Sequence, residues 1–406
     1  MDTAGFSELR TWLTEAGLAG KSETALLDGF CRLALDAGLP IGRAAIVIDT
    51  LHPVHEGRAF LWRREGEQTQ TELVEYGPTS EGEMAQNWRR SVFFHLLQTG
   101  GSLFRVRFHA GETADFFNFA KMRDEGMTDV AAMITRFPGS GAIGEMDSLY
   151  SYWATDRPHG FDDAHVEAIA GLVPMLALAV KCVSLARIAG TLVETYLGRD
   201  AGQRVLKGLI RRGVADRISA VLWYSDLREF TRITDQSPPE QIIPLLDDYA
   251  EAVISAIYDN GGDVLKLIGD GTLAIFTAAA AEEACRSAIA AHNLLQERVA
   301  QLNKRRARGT LPTTDVYVGL HIGEVFYGNI GSDERLDFTV VGPAVNEVAR
   351  IAAMCRSVER NVLLSQAFAN AMARLERGRL VSVGRYALRG VERPQELFTL
   401  DPFFLD

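Results

Sequence analysis

Cysteine is scarce in this chain: four in 406 residues, Cys31, Cys182, Cys285 and Cys355, each far from the next. No pair has the spacing of a zinc site or of a small disulfide framework, so reduced, mostly buried thiols are expected. Basic residues are outnumbered, 42 Lys and Arg against 53 Asp and Glu, giving a net charge of −11. That balance argues against a non-specific binder of nucleic acid or of anionic membrane surfaces. Long blocks of like charge are missing too; Lys304-Arg-Arg-Ala-Arg308 is the one short basic run and reads as a solvated helix end. Long apolar runs are also lacking. The longest uncharged stretch, Ala168–Val180, is interrupted by Pro174 and closed by Lys181, short of the roughly 20 residues a membrane span needs. The start, Met1-Asp-Thr-Ala-Gly-Phe6, shows neither the basic nor the apolar region of a signal peptide. A soluble, cytoplasmic protein is the expectation.

What is present is ample apolar material, 47% of the residues. With 406 residues it is enough for two domains and a linker. Residues 1 to about 180 read as one α/β unit. Glu8–Ala16 and Thr24–Ala37 have helical spacing of apolar residues. Ala44–Asp49, Arg58–Arg63 and Thr71–Tyr76 read as strands, Ser91–Gln98 as a helix, and Leu103–Phe108 as a half-buried strand. Met127–Phe137 and Asp147–Thr155 add two strand candidates, and Asp162–Ala186 a long helix signalled by Asp162 and Asp163. This order suggests a sheet covered by helices on one face. The segment Tyr150-Ser-Tyr-Trp-Ala-Thr-Asp-Arg-Pro-His-Gly-Phe161, followed by a long apolar helix, resembles the close of GAF-type sensor domains. The resemblance spans roughly residues 20–185. It implies a pocket for a small-molecule ligand, or a dimerisation module. Trp62, Trp88, Phe93, Phe94, His95, Tyr152 and Trp153 are candidates to line such a pocket, with aromatic core as their ordinary alternative.

Residues 184–213 read as a helical connector between domains 1–183 and 214–406. Leu185, Ile188, Leu192, Val193, Tyr196 and Leu197 form an apolar stripe. It suits a parallel helix pair between two dimerised domains, or a surface helix packed on its own domain. Gly198 and Gly213 read as breaks. Beyond them the order is β-α-β-β-α-β, a ferredoxin-like arrangement. It comprises the strand Ile218–Ser225, a helix over Pro239–Tyr258, a hairpin, the long helix Ala281–Arg308 and the strand Asp315–Ile322. A second hairpin over Glu324–Gly331, a strand near Phe338–Val341, a helix Ala344–Met354 and a terminal strand set follow.

Two acids stand out at strand ends. Asp226 closes the apolar run Ile218–Ser225, and Asp270 sits in Lys266-Leu-Ile-Gly-Asp-Gly271 at the tip of the first hairpin. Taken singly, each is an ordinary turn or cap aspartate. Held on neighbouring strand ends, two carboxylates share hard cations, and such pairs bind Mg²⁺ together with nucleotide phosphates. The backbone N–H groups of Leu227 to Thr231 lead into the next element and suit phosphate, Phe230 itself being core. Lys266 shares a strand face with Val264 and Ile268, so it points toward an otherwise buried surface and needs a partner. Asn346 and Arg350, four apart, share one helix face.

Four segments together carry a second resemblance. They are Ser225-Asp-Leu-Arg-Glu-Phe-Thr231, Gly261-Gly-Asp-Val-Leu-Lys-Leu-Ile-Gly-Asp-Gly271, Gly319-Leu-His-Ile-Gly-Glu-Val-Phe-Tyr-Gly-Asn-Ile-Gly331 and Thr339-Val-Val-Gly-Pro-Ala-Val-Asn-Glu-Val-Ala-Arg350. Over residues 215–400 the chain resembles the catalytic domain of class III nucleotidyl cyclases. The resemblance implies that Asp226 and Asp270 hold two divalent cations, Mg²⁺ or Mn²⁺. It implies that Lys266 and Thr339 contact the purine, that Asn346 orients the ribose and that Arg350 meets developing phosphate charge. Arg389, and less directly Arg335, fall where terminal phosphates would be met. Lysine at 266 is the adenine-type choice. Threonine at 339, where many relatives carry aspartate, loosens that reading because a hydroxyl both donates and accepts. The resemblance further implies a homodimer, because the aspartates and the base-contacting lysine of one site come from opposite subunits. Adenylate cyclase, with ATP as substrate, is the expected activity. Guanylate cyclase and a silent nucleotide-binding regulator are the alternatives. A diguanylate-forming enzyme is disfavoured, since Gly261-Gly-Asp263 continues Val-Leu and precedes a strand.

Overall fold

The computed structural model describes residues 3–66, 68–137, 143–144, 146–391 and 393–401. It divides into two compact units, Met1–Leu192 and Val193–Asp406. In chain order the first unit holds α1 (Thr3–Leu18), α2 (Glu23–Asp36), β1 (Arg43–Asp49), β2 (Gly57–Glu65) and β3 (Gln68–Tyr76). It continues through α3 (Gly82–Arg89), α4 (Val92–Thr99), β4 (Leu103–Val106), α5 (Phe119–Asp124), β5 (Asp129–Arg136), β6 (Ser148–Thr155) and most of α6 (Asp163–Leu197).

The six strands form one antiparallel sheet in the order β3-β2-β1-β6-β5-β4. Helices cover both of its faces, not one. The reason lies in the strands: Ala131 and Met133 of β5 enter the core beneath α1, α2 and α6, while Val130, Ala132 and Ile134 enter a second core with α4 and α5. A strand buried on both sides does not show the clean alternation that marks a one-sided sheet. The same division separates the candidate aromatics. Trp62 and Trp153 are fully buried in the first core, whereas Trp88, Phe93 and Tyr152 pack on the opposite face. Phe94 and His95 meet neighbouring rings of that second cluster edge-on or tilted, Phe94 against Trp88 and His95 against Phe104 and Phe116.

At the start of α2, Glu23 is 1% exposed and accepts hydrogen bonds from Arg58, Arg187 and Ser184. One buried carboxylate thus ties α2, β2 and α6 together. Helix α6 runs past the expected end at Ala186 to Leu197, absorbing the first half of the connector. By length and composition it is apolar enough to cross a membrane. Within the first unit Ile169, Leu172, Leu176 and Val180, at helical spacing, are fully buried in the core.

The second unit begins with the end of α6 and α7 (Arg199–Leu206), then β7 (Ala215–Leu227), α8 (Phe230–Gln236), α9 (Ile242–Asp259), β8 (Gly262–Ile268), β9 (Gly271–Phe276) and α10 (Ala281–Arg308). β10 (Val316–Gly331), β11 (Leu336–Val341), α11 (Pro343–Val358), β12 (Val362–Ser365), α12 (Gln366–Ala371), α13 (Arg374–Arg377), β13 (Leu380–Tyr386) and β14 (Gln395–Leu400) complete it. The sheet order is β13-β14-β12-β10-β7-β9-β8, with β11 paired on β10. The β-α-β-β-α-β core expected from sequence is present, although the predicted helix over 239–258 is a 3₁₀ turn at Pro239–Gln241 followed by α9.

Alternation along β7 builds two cores. Val221 and Trp223 pack beneath α9 and α10, and Ala220 and Leu222 pack beneath α11, α7 and β11. The expected hairpin over Glu324–Gly331 is instead the continuation of one 16-residue strand, β10, and the chain turns only after Gly331. Its glycines are close-approach positions, not turn positions. A Cβ on Gly323 would lie 2.7 Å from the Cβ of Ala344, and one on Gly328 would lie 2.2 Å from the Val214 carbonyl.

Candidate active site

Asp226 is the penultimate residue of β7, an interior strand between β10 and β9, and β9 pairs beside it with Ser225 opposite Thr272. That register brings the β8–β9 tip, with Gly269 at φ +64, against the end of β7. Asp270 at the tip accepts a hydrogen bond from the Leu227 amide at 3.3 Å. The Asp226 carboxyl is pushed up to about 7. Partial burial contributes most, then the hydrogen bonding and negative charge of Asp270, with the Leu227 amide and the distant charge of Arg356 pulling the other way. A carboxyl raised this far gives up its proton only near neutral pH, and a cation would relieve the same desolvation and repulsion. The oxygens of the two carboxylates are hard donors of the kind Mg²⁺ and Mn²⁺ take. Among the described residues no group of three or more His, Cys, Asp or Glu is gathered. A hard ion here would complete its shell from backbone, water and a triphosphate, as Mg²⁺ commonly does.

The stretch after Asp226 differs in part from expectation. The Leu227 amide is already committed to Asp270 and that of Arg228 to the Asp315 carbonyl. Leu227 is buried, and Phe230 is partly buried against the core. Thr231 is exposed in the first turn of α8. The amides left for a phosphate are those opening α8, which have no partner within a helix.

Lys266 follows a bulge: the β8–β9 register shifts between Val264 and Lys266. The bulge separates Lys266 from the face of Val264, with Leu265 turned into the core, while Ile268 stays on the Lys266 face and is 45% exposed. The Lys266 ammonium is half-exposed and pairs with the Asp337 carboxylate on β11. Sequence reading passed over Asp337. Its signal was the alternation of β11, where Phe338 and Val340 are buried and Asp337, Thr339 and Val341 face outward. Thr339 therefore lies on the same strand face as the partner of Lys266.

Val341 ends this row at a cleft of about 720 Å³, which is also lined by Asn346, Glu347, Arg350, Gly390 and Arg393. Asn346 and Arg350 project from α11, which opens with Pro343 at its first turn. The Arg350 guanidinium lies where a Cβ on Gly390 would be 3.1 Å away, and Gly390 has φ +74. Glycine there admits the guanidinium. Arg389 is exposed and does not line the cleft; Arg393, four residues on, does. Arg335 is exposed at the β10–β11 turn. Glu347 faces inward to the buried His321, whose Nδ1 lies 2.8 Å from Ser365 Oγ and 3.7 Å from Glu347. Burial lowers the His321 pKa and Glu347 opposes the shift, so the ring is neutral at pH 7. Neither Asp226 nor Asp270 lines the cleft.

Comparison with known proteins bears on the second unit. Residues 215–402 match the family model of the adenylate and guanylate cyclase catalytic domain. An adenylate cyclase of Anabaena cylindrica is 31% identical over 161 residues, covering 39% of this chain and 31% of that one. The chain spans about a third or less of the curated adenylate cyclases it matches. Among solved structures, the adenylyl cyclase CyaB from P. aeruginosa is 23% identical with a TM-score of 0.42, covering 46% of this chain and 95% of that one. The guanylyl cyclase Cya2 is 26% identical with a TM-score of 0.41, covering 47% and 98% respectively. The matched region holds both the paired aspartates and the Asn346–Arg350 cleft, so residues 215–402 belong to the class III nucleotidyl cyclases.

Proposed function

We propose that the second unit is an adenylate cyclase that converts ATP to 3′,5′-cyclic AMP and pyrophosphate. The observation carrying this reading is the outward row Lys266–Asp337, Thr339, Val341, which runs into the Asn346–Arg350 cleft. At about 3.3 Å per residue, Asp337 to Val341 spans roughly 13 Å, on the scale of a nucleotide laid from base to phosphate. In the reaction the ribose 3′-oxygen forms a bond to the α-phosphorus as the bond to the bridging oxygen breaks and pyrophosphate leaves. Divalent cations bound by Asp226 and Asp270 would supply phosphate neutralisation and a more acidic 3′-hydroxyl. Asn346 positions the ribose, and the permanently charged fork of Arg350 meets charge building on the phosphate oxygens. Lys266 donates to adenine N1.

Guanylate cyclase remains the second reading because the Thr339 hydroxyl can donate as well as accept. Incubating the purified protein with ATP or GTP plus Mn²⁺ or Mg²⁺, and identifying the product, decides between them. Cyclic AMP from ATP alone supports the proposal; cyclic GTP-derived product alone overturns it. Asp270→Ala run in parallel ties any product to this site.

The active form is a homodimer. Arg356, whose charge acts on Asp226, lies ten residues along α11 from Asn346, about 15 Å at 1.5 Å per residue. The acid pair and the cleft are thus two half-sites of one chain, and a twofold partner would complete each. The first unit is proposed as the regulatory, GAF-like module. On the sheet face bearing Trp88, Phe93 and Tyr152 it has a cavity of about 400 Å³, also lined by Arg43, Leu61 and Asn87. That volume and mixture of apolar walls with a few polar groups suit a small organic ligand.

A further inference from the structure

The cyclase reading leaves open how Lys266 and Thr339 separate two purines, since threonine presents either hydrogen-bonding sense. We propose that Asp337 is a specificity-determining positioning residue, one that aims Lys266 and supplies the fixed acceptor that Thr339 lacks. This rests on the assignment of the β11 face to the base.

Three observations carry it. First, the Lys266–Asp337 pair joins strands that do not pair with each other: among the described residues β8 pairs with β9, and β11 with β10. Lys266 and Asp337 are 36% and 45% exposed. Exposed pairs of this kind contribute little to stability, so the contact matters more for where the ammonium points. Second, Asp337 and Thr339 are two apart on one strand and face outward, while Phe338 and Val340 anchor β11 in the core. The carboxylate therefore sits on a fixed strand beside the hydroxyl, on the row that leads to Arg350. Third, the bulge just before Lys266 turns its side chain away from the face of Val264, to the face of Leu273 on which β11 packs.

The chemistry then discriminates. A protonated lysine only donates, and an ionised carboxylate only accepts. Adenine offers an acceptor at N1 and a donor at its 6-amino group. Guanine reverses both, with a donor at N1 and a carbonyl at position 6. A lysine facing N1 with a carboxylate facing position 6 matches adenine and sets like against like for guanine. A site built to bond one edge rejects the other because buried polar groups are left unpaired.

The test is the ATP-to-GTP preference of the full-length wild type, Asp337→Asn and Asp337→Glu. It is read as the ratio of kcat/KM values and, independently of turnover, as the ratio of ATP and GTP affinities by calorimetry. Asp337→Asn is expected to lower both ratios about tenfold or more, with Asp337→Glu retaining most of the preference and thermal unfolding unchanged. An Asp337→Asn protein that keeps the wild-type ratios overturns the inference. A wild type that binds nucleotide with the expected preference yet forms no cyclic product contradicts the cyclase reading instead, leaving the role of Asp337 supported by binding.

Discussion

At the scale of single residues, the acid pair makes a pH prediction with a definite sign. In the cation-free fold Asp226 keeps a proton up to about 7, whereas in the unfolded chain its carboxyl is near 3.8. Its contribution to stability is therefore greatest at low pH and is lost as pH rises from about 4 to about 7. Cation binding must displace that proton, so Mn²⁺ affinity is expected to rise up to about tenfold per pH unit below 7 and to level off above it. Calorimetric titration between about pH 5.5 and 8 checks this, and a flat profile would contradict it. Asp270→Asn removes the repulsion, so it should raise the melting temperature of the metal-free protein at pH 8 while abolishing the Mn²⁺-induced rise. Arg350→Ala should lower kcat on the order of 10²–10³-fold, with a smaller change in KM. The placement of Asp226, Asp270, Asn346 and Arg350 was legible in the sequence because each sits at a strand end or hairpin tip or on a helix face that local pattern fixes. Asp337 was not, because its role depends on a contact between β8 and β11 that spans 71 residues. Arg393 was missed for the same kind of reason: which arginine of the loop after β13 lines the cleft is decided by how that loop folds, not by local pattern.

At the scale of elements, most of the helices and strands expected in the first unit fall close to their observed spans, since their apolar periods are local, whereas the short α3 and α5 and the extension of α6 to Leu197 were not expected. The second sheet face was hidden because β5 carries an unbroken apolar run over residues 130–134 and β6 is buried along nearly its whole length, which conceals where alternate residues go. β10 was misread at its glycines, which are demanded by Ala344 and Val214 across the fold and not by a turn. Long-range contact also sets the most exposed weakness of the first unit. Burial raises the Glu23 pKa, but hydrogen bonds and charge from Arg187, its own backbone and Arg58 outweigh that and leave it lowered. This contribution is present above about pH 4.5 and lost as pH falls through the folded-state value. Glu23→Gln leaves two arginines short of a buried counter-charge and should cost on the order of 3–5 kcal/mol, read by urea unfolding of the full chain. Gly198 is the corresponding position in the second unit. Its φ is +87, and a Cβ there would lie 2.3 Å from the Val264 carbonyl of β8. Gly198→Ala is expected to push the start of α7 off the strand that leads to Lys266 and Asp270, lowering kcat together with thermal stability.

At the scale of the whole molecule, the division between units falls within α6, near Leu192. Inserting one residue near Thr191 would rotate everything beyond it by about 100° and should change activity sharply without altering nucleotide-independent folding; unchanged kinetics would remove the connector from the regulatory account. The central claim is that one chain holds two half-sites, which a twofold partner joins. It is tested most directly by mixing two inactive variants, Asp270→Ala and Arg350→Ala, under conditions of subunit exchange. Half the dimers then carry one variant of each kind, and one of the two sites in each is intact, so about a quarter of wild-type activity should return. A mixture of folded, dimeric, exchanged variants that stays inactive would contradict it.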